Sequence, residues 1–416
     1  MKSKLNFIDL FAGAGGLSEG FVQAGFNPVA HVEVDKAACF TLKTRQAFYW
    51  LKENNKIDLY KSYLMGEINR AEFYNYIPEE IIDSIINIEI TKDSIDSIFE
   101  KIDLLKNDRS IDIIIGGPPC QAYSVIGRAR GIPNSDPRNY LYEHYAKFLE
   151  YYQPKYFVFE NVTGLLSAKD SSGQLYLRSM LNLFDKIGYS VEYKVLSAED
   201  YGILQRRKRI ILIGKKGKAT NFYPNLEPVS QKYLVADLLQ DLPKIKAGEG
   251  SWLPCKLAEQ SSPWLAETNI KTQLPVTWHQ ARPHTLQDLN IYKIAVELWN
   301  KDQSRLDYSK LPHHLRTHKD IKSFTDRFKV IASDHPYTHT LVAHISKDGH
   351  HYIHPDIEQN RSITPREAAR IQTFPDDYFF ESASGKPSRT MAFKQIGNAV
   401  PVRLAYLIAT KLNSQI

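Results

Sequence analysis

A chain of 416 residues, 43% hydrophobic and 24% charged, can bury one large core and a smaller one, which excludes a disordered or fibrous protein. Three cysteines, Cys39, Cys120 and Cys255, carry no metal-like pairing, so a disulfide framework is excluded and a reducing cytoplasm fits. A net charge of +6 biases only mildly toward polyanionic partners, and the chain shows neither a leader nor an apolar run long enough to span a membrane, so a cytoplasmic protein is expected.

Residues 5–11 (LNFIDLF) are an apolar run ending in the glycine-rich AGAGG and followed by the helix-like LSEGFVQAG. Strand, tight turn and helix open an α/β domain. A second strand is predicted at 28–34, after which residues 36–82 are polar and helix-prone. Further strands are predicted at 84–90, 111–115, 155–160, 190–196 and 209–213. Between two of these, Leu141, Tyr145, Phe148, Leu149 and Tyr152 recur at helical spacing. The alternation predicts a doubly wound, mostly parallel sheet over 1–214 with helices on both faces. Residues 215–360 lose the alternation and are rich in proline, tryptophan and histidine; eleven of the thirteen histidines lie between His279 and His354. They read as a second, smaller domain. Helical periodicity returns at 364–372 and 400–412, so 361–416 is read as a return segment, with Val400, Leu404, Leu407 and Ile408 packing back on the first domain.

Glycines in Phe11-Ala-Gly13-Ala-Gly15-Gly16 let the backbone approach a ligand at a helix N-terminus, although such a turn serves equally as a plain tight connection. Glu33, ending the second strand, can accept hydrogen bonds from ribose hydroxyls or stand as a solvated turn residue. The full dinucleotide fingerprint is missing, which argues against a nicotinamide oxidoreductase. Asp112-Ile-Ile-Ile-Gly-Gly-Pro118-Pro119-Cys120-Gln121-Ala-Tyr-Ser124 is more specific. A buried strand ends in a stiff loop that presents one cysteine at the carboxyl edge of the sheet, where ligands of open α/β sheets gather. A thiol there is a good nucleophile once partly ionised.

Pro118-Pro119-Cys120-Gln121 resembles the catalytic motif of the DNA cytosine-5 methyltransferases, and other motifs of that family follow in order. FAGAGG resembles its cofactor loop and Glu160-Asn161-Val162 its second catalytic motif. Gln205-Arg206-Arg207-Lys208-Arg209 resembles its Gln-x-Arg-x-Arg signature, and Arg366 to Pro375 the motif closing the recognition domain. Gln395-Ile-Gly-Asn398-Ala-Val400-Pro resembles its last motif. The resemblance implies the S-adenosylmethionine-dependent methyltransferase fold with a target-recognition domain. It also implies S-adenosyl-L-methionine as cofactor, duplex DNA as partner, action as a monomer on DNA, and a cognate restriction endonuclease as possible counterpart.

In that family's chemistry a thiolate attacks carbon 6 of cytosine, making carbon 5 nucleophilic, while an acid serves N3. By resemblance these are Cys120 and Glu160; Glu160 must hold a proton during the reaction, so a raised pKa is expected. Arg209 is expected on the cytosine O2 and Arg207 in support, or both as phosphate ligands. The cofactor residues implied are Phe11, Gly13, Gly15, Glu33, Glu89, Ile90, Pro118, Leu141, Asn398 and Val400. Two departures stand out: Val34 follows Glu33 where an aromatic is usual, and Glu89-Ile90 replaces Asp-Ile, with Asp93 a rival. DNA contacts are expected from Gln121 and Ser124 and from Thr340-Leu341, which resembles the family's Thr-Leu element. Seven Lys or Arg against three acids in 304–330 suit DNA contacts or an ordinary solvated face. His314 and His318 have helical spacing but no third metal ligand in view. The 36–82 insertion exceeds the usual spacer and reads as surface decoration, with a cover over the cofactor or a contact to DNA as the alternative. A transfer-RNA cytosine-5 methyltransferase and a non-catalytic DNA-binding relative are the alternatives.

Overall fold

The computed structural model describes residues 4–119, 136–318 and 321–416. Its strands are β1 (Asn6–Leu10), β2 (Asn27–Val32), β3 (Ile85–Ile86), β4 (Ile113–Gly116), β5 (Tyr156–Asn161), β6 (Tyr189–Ser197) and β7 (Lys208–Lys216). They form one sheet in the order β3-β2-β1-β4-β5-β7-β6. The first five pair in parallel, whereas β7 runs against both of its neighbours. Every strand lies where the sequence predicts one. The third is cut short because Asn87 leaves the ladder, its amide bonding the carbonyls of Glu33 and Val34 at 3.0 Å each.

The long helices are α1 (Gly16–Gln23), α2 (Lys36–Glu53), α3 (Ile57–Leu64), α4 (Arg70–Tyr74), α5 (Glu79–Asp83), α6 (Ile95–Lys106), α7 (Leu141–Tyr152), α8 (Tyr176–Lys186), α9 (Leu286–Asp302), α10 (Pro365–Ile371), α11 (Arg389–Asn398) and α12 (Val402–Asn413), with α4, α5 and α10 only one or two turns. None among the described residues is long and apolar enough to cross a membrane. Strand runs such as Ile113-Ile114-Ile115 are apolar on both faces because both are covered. Ile8, Leu10, Ile114 and Phe157 pack with α6, α7 and α8. On the other face Phe7, Ile113 and Ile115 meet α1 and the last helix through Leu17, Phe21, Leu404 and Ile408. The expected return of the C-terminal helix is therefore present. It approaches closely: a Cβ on Gly20 would lie 2.5 Å from the Ala405 Cβ and the Tyr406 nitrogen.

The 36–82 stretch is not surface decoration. Tyr60, Tyr63, Leu64 and Phe73 share a core cluster with Trp264, Trp278, Leu341, Phe374 and Phe379. Tyr60 donates to the Asp377 carbonyl at 2.7 Å and Tyr63 to the Glu381 carboxylate at 2.5 Å. Arg45 bridges Glu19 at 2.6 Å and Asp377 at 2.8 Å, tying α1, α2 and the segment after α10 together. Arginines of the return segment make three more buried pairs, Arg361–Glu367 at 2.7 Å and Arg370 with Asp241 and Asp376 at 2.5 and 2.8 Å. Removing one partner of such a buried pair typically costs about 3–5 kcal/mol.

Residues 215–360 hold little regular structure beyond α9 and short turns. Ile291, Tyr292, Val296, Tyr308, Phe328 and Ile353 form a separate cluster around α9. The histidines here are largely structural. His279 bonds the Thr364 hydroxyl and the Pro243 carbonyl, and burial pushes His339, His351 and His354 down to about 4.

Candidate active site

Two groups of side chains converge on the carboxyl edge of the sheet. The first lies at the ends of β1 and β2. The turn after β1 takes left-handed backbone at Phe11, Gly13 and Gly15, with φ of 58°, 55° and 80°. Gly13 has open space where a Cβ would sit, whereas one on Gly15 would lie 2.8 Å from Leu42 and the Tyr378 hydroxyl. The same Tyr378 hydroxyl donates to the Ala14 carbonyl at 2.6 Å, so the return segment pins the glycine turn from below.

Glu33 folds back over this turn. One carboxylate oxygen accepts from the Gly13 nitrogen at 2.7 Å, and the other from the nitrogens of Val34 and Asp35 at 2.9 and 2.7 Å. A carboxylate offers about four acceptor sites, so capacity remains for a hydroxyl. Burial pushes Glu33 above the usual carboxylate range, and the three N–H donors oppose that shift. Asp9, beneath the turn, is 1% exposed with one carboxyl oxygen lacking a partner. Burial, then the Glu33 charge, raises it well above its ordinary value. The sequence reading missed Asp9 because only its lack of partners in the folded core marks it out. Asn87 was missed because its acceptors lie more than 50 residues away; it donates to the carbonyls of Glu33 and Val34, and Val34 is 58% exposed.

The other expected cofactor residues differ in exposure. Pro118 is buried where β4 ends, Leu141 is half-buried at the start of α7, and Asn398 is exposed at the end of α11. Val400 is buried, and its carbonyl lies where a Cβ on Gly16 would go. Glu89 is exposed, with its carbonyl accepting from Ser94 at 2.5 Å, whereas Ile90 is buried in the core beside β2.

The second group spans β4, β5 and β7. Glu160, next to last in β5, pairs in register with Ile211 of the antiparallel β7, and this places Arg209 beside it. The Arg209 Nε stands 2.6 Å from Glu160 Oε1, both side chains mostly shielded from solvent. The other carboxylate oxygen faces Gly117, where an added Cβ would lie 2.8 Å away. Asn161 donates to the Pro118 carbonyl at 3.3 Å, holding the end of β4 against β5. Cys120, with Gln121 and Ser124, lies outside the described residues; the chain leaves the described part at Pro119, two residues after Gly117.

Arg207 is buried more deeply than Arg209. It is 1% exposed, donates to the Leu341 carbonyl at 2.6 Å, and leaves its Nε without a partner. Burial, then the Arg209 charge, pushes it well below the usual arginine range, while Glu160 opposes. Leu341, expected on the DNA side, is 0% exposed; it acts through its backbone, its N–H donating to Gln205 at 2.9 Å. Thr340 is the partly accessible member, donating to the Arg206 carbonyl at 2.6 Å. Gln205, fully buried, also donates to the Ile371 carbonyl and to Gln372, joining β7, the second region and α10. These pairings are decided by tertiary contact and leave no mark in sequence spacing.

A glycine turn under an acid at the ends of β1 and β2, on a sheet with one reversed strand next to its edge, defines the methyltransferase class of α/β proteins. Residues 5–72 and 67–414 match the model of the C-5 cytosine-specific DNA methylases, and the chain belongs to that family. It is 41% identical to the Type II methyltransferase M.Bpa9945I of Bacillus paralicheniformis, over 97% of each chain. It is 30% identical to the Type II methyltransferase M1.HphI of Haemophilus parahaemolyticus, over 97% of this chain and 86% of the relative. A crystal structure described as a prophage-encoded DNA modification methyltransferase of Escherichia coli superposes with a TM-score of 0.62 at 25% identity, covering 99% of both chains. The protein is thus an enzyme that methylates cytosine in DNA.

Proposed function

We propose that the protein transfers a methyl group from S-adenosyl-L-methionine to carbon 5 of one cytosine within a specific duplex sequence, through covalent attack by Cys120 on carbon 6 of a base swung out of the helix. The observation that carries this reading is the Glu160–Arg209 pair facing Gly117, where the strand leading to Cys120 ends.

Both faces of a stacked cytosine are covered, so the nucleotide must leave the stack, at a cost of a few kcal/mol. In the pocket, Arg209 donates to the O2 of the base while Glu160 serves N3. The Cys120 thiolate forms a bond to carbon 6, and the ring's electron pair moves toward N3, where Glu160 supplies a proton. Carbon 5 is thereby the nucleophile and would take the methyl group, whose bond to the cofactor's sulfur breaks as the bond to carbon 5 forms. Loss of its proton to water, expulsion of the Cys120 sulfur and return of the N3 proton to Glu160 restore the aromatic ring.

The glycine turn suits the nucleoside cofactor. Open space at Gly13, spare acceptor capacity on Glu33 and the exposed Val34 face would hold backbone, ribose and adenine, with Phe11, Asn398 and Val400 around them. When bound, the cofactor supplies an electrophilic methyl group. Cellular protection against a cognate restriction endonuclease is proposed because the relatives are named Type II methyltransferases.

Duplex DNA carrying 5-fluorocytosine at the target tests the mechanism, because the fluorine cannot leave as a proton does. The parent is expected to become covalently trapped and Cys120→Ser is not. Trapping by Cys120→Ser would remove the assigned nucleophile. Bisulfite sequencing of methylated plasmid, with transfer RNA as a competing substrate, identifies the target and its class.

A further inference from the structure

A hollow of about 300 Å³ lies between α9 and the segment 328–339, and Arg206 forms part of its wall. Its charged lining is Arg206, Arg305 and Lys329, with no carboxylate among the described lining residues. Asp326, outside the lining, is shared by Lys329 at 2.6 Å and Arg305 at 3.8 Å, and Glu199 stands 3.8 Å from Arg206. Three cations thus share two carboxylates, leaving capacity for an anion. The apolar wall includes Trp299 and Tyr337.

Arg206 is preset rather than free. Its guanidinium lies over the Tyr337 ring, 4.6 Å from the centroid, and donates to the Tyr337 hydroxyl at 2.7 Å. Its backbone nitrogen donates to the Thr338 carbonyl at 2.8 Å and its carbonyl accepts from Thr340. Yet the side chain stays 58% exposed. Arg209 lies three positions after Arg206, so their Cα atoms are no more than about 11 Å apart. At about 3.4 Å of axial rise per nucleotide, DNA that brings a cytosine to Glu160 passes the hollow within about three nucleotides.

We infer that this hollow seats one sugar–phosphate unit of the DNA near the target cytosine. The phosphodiester meets Arg206, Arg305 and Lys329, and the sugar rests against Trp299 and Tyr337. The inference rests on the duplex-DNA reading above and adds the residues that anchor the DNA without reading its sequence.

The test is fluorescence anisotropy of the full chain with two duplexes, one carrying the methylated site and one lacking it, between 50 and 200 mM salt. Arg206→Gln/Arg305→Gln is compared with the parent and with Arg305→Gln alone, whose side chain is 66% exposed and carries little of the fold. Loss of one phosphate contact is expected to reduce the slope of log affinity against log salt by about 0.9 in the double variant. The reduction is expected to be equal on both duplexes, because phosphate contacts carry no sequence information. Unchanged slopes, or a loss confined to the site-bearing duplex, overturn the inference. A parent that binds neither duplex overturns the DNA reading beneath it.

Discussion

The Nε of Arg209 lies 2.6 Å from the Glu160 carboxylate because β7 runs antiparallel to β5 and places Ile211 opposite Glu160. The acid assigned to N3 and the cation assigned to O2 are therefore held together before any base arrives. Preorganised polar groups of this kind act without reorganising during the reaction.

Glu160→Gln keeps the size of the side chain and removes its ability to shuttle a proton. Methyl transfer is expected to fall about 10²–10⁴-fold, the range for loss of an acid catalyst, with DNA affinity nearly unchanged. Single-turnover kinetics beside a binding titration checks this; a near-normal rate would take Glu160 out of the chemistry.

Gly117→Ala tests the fit between the end of β4 and that carboxylate. The added Cβ would stand 2.8 Å from Glu160 Oε2, so the acid must move. A displacement approaching 1 Å can cost about 10²-fold in rate. We expect kcat to fall while thermal stability changes little. Unaltered kcat would show that Glu160 tolerates displacement.

Gly20→Ala probes the closure of the fold rather than the chemistry. Its Cβ would come within 2.5 Å of the α12 backbone and 2.5 Å of the Ala405 Cβ, forcing α1 and α12 apart. Overpacking of this kind costs about 1–3 kcal/mol. A lowered thermal midpoint is expected; an unchanged one would mean that the helices shift without penalty.

Stability is expected to decline as pH falls from about 7 toward 4. Burial pushes His31 down to about 3 and His339 and His354 down to about 4 in the folded protein. In the unfolded chain they titrate near about 6.5. Below that pH the unfolded chain binds protons that the folded one refuses, so stability rises with pH across this window and is fully present above it. Urea midpoints measured at pH 7.5, 6.5 and 5.5 read the effect, and a flat profile would contradict it.

All seven strands, the helix at 141–152 and the returning C-terminal helix were legible in the sequence, because covered parallel strands read as apolar runs and helices as 3.6-residue spacing. So was the order of motifs around Pro118, Glu160 and Arg209, which resembles that of the family the chain belongs to. Which partners they meet was not legible. Arg207 and Arg209 are two apart on an extended segment and look alike in the sequence; in the fold Arg207 is buried and donates to the Leu341 carbonyl, while Arg209 pairs with Glu160. The 36–82 stretch looked peripheral because its polar composition hides that Tyr60 and Tyr63 find acceptors more than 300 residues away. Local spacing reflects the period of a helix or strand, but a buried charge or hydroxyl is stable only beside the group that satisfies it, and which group that is depends on contacts between distant parts of the chain.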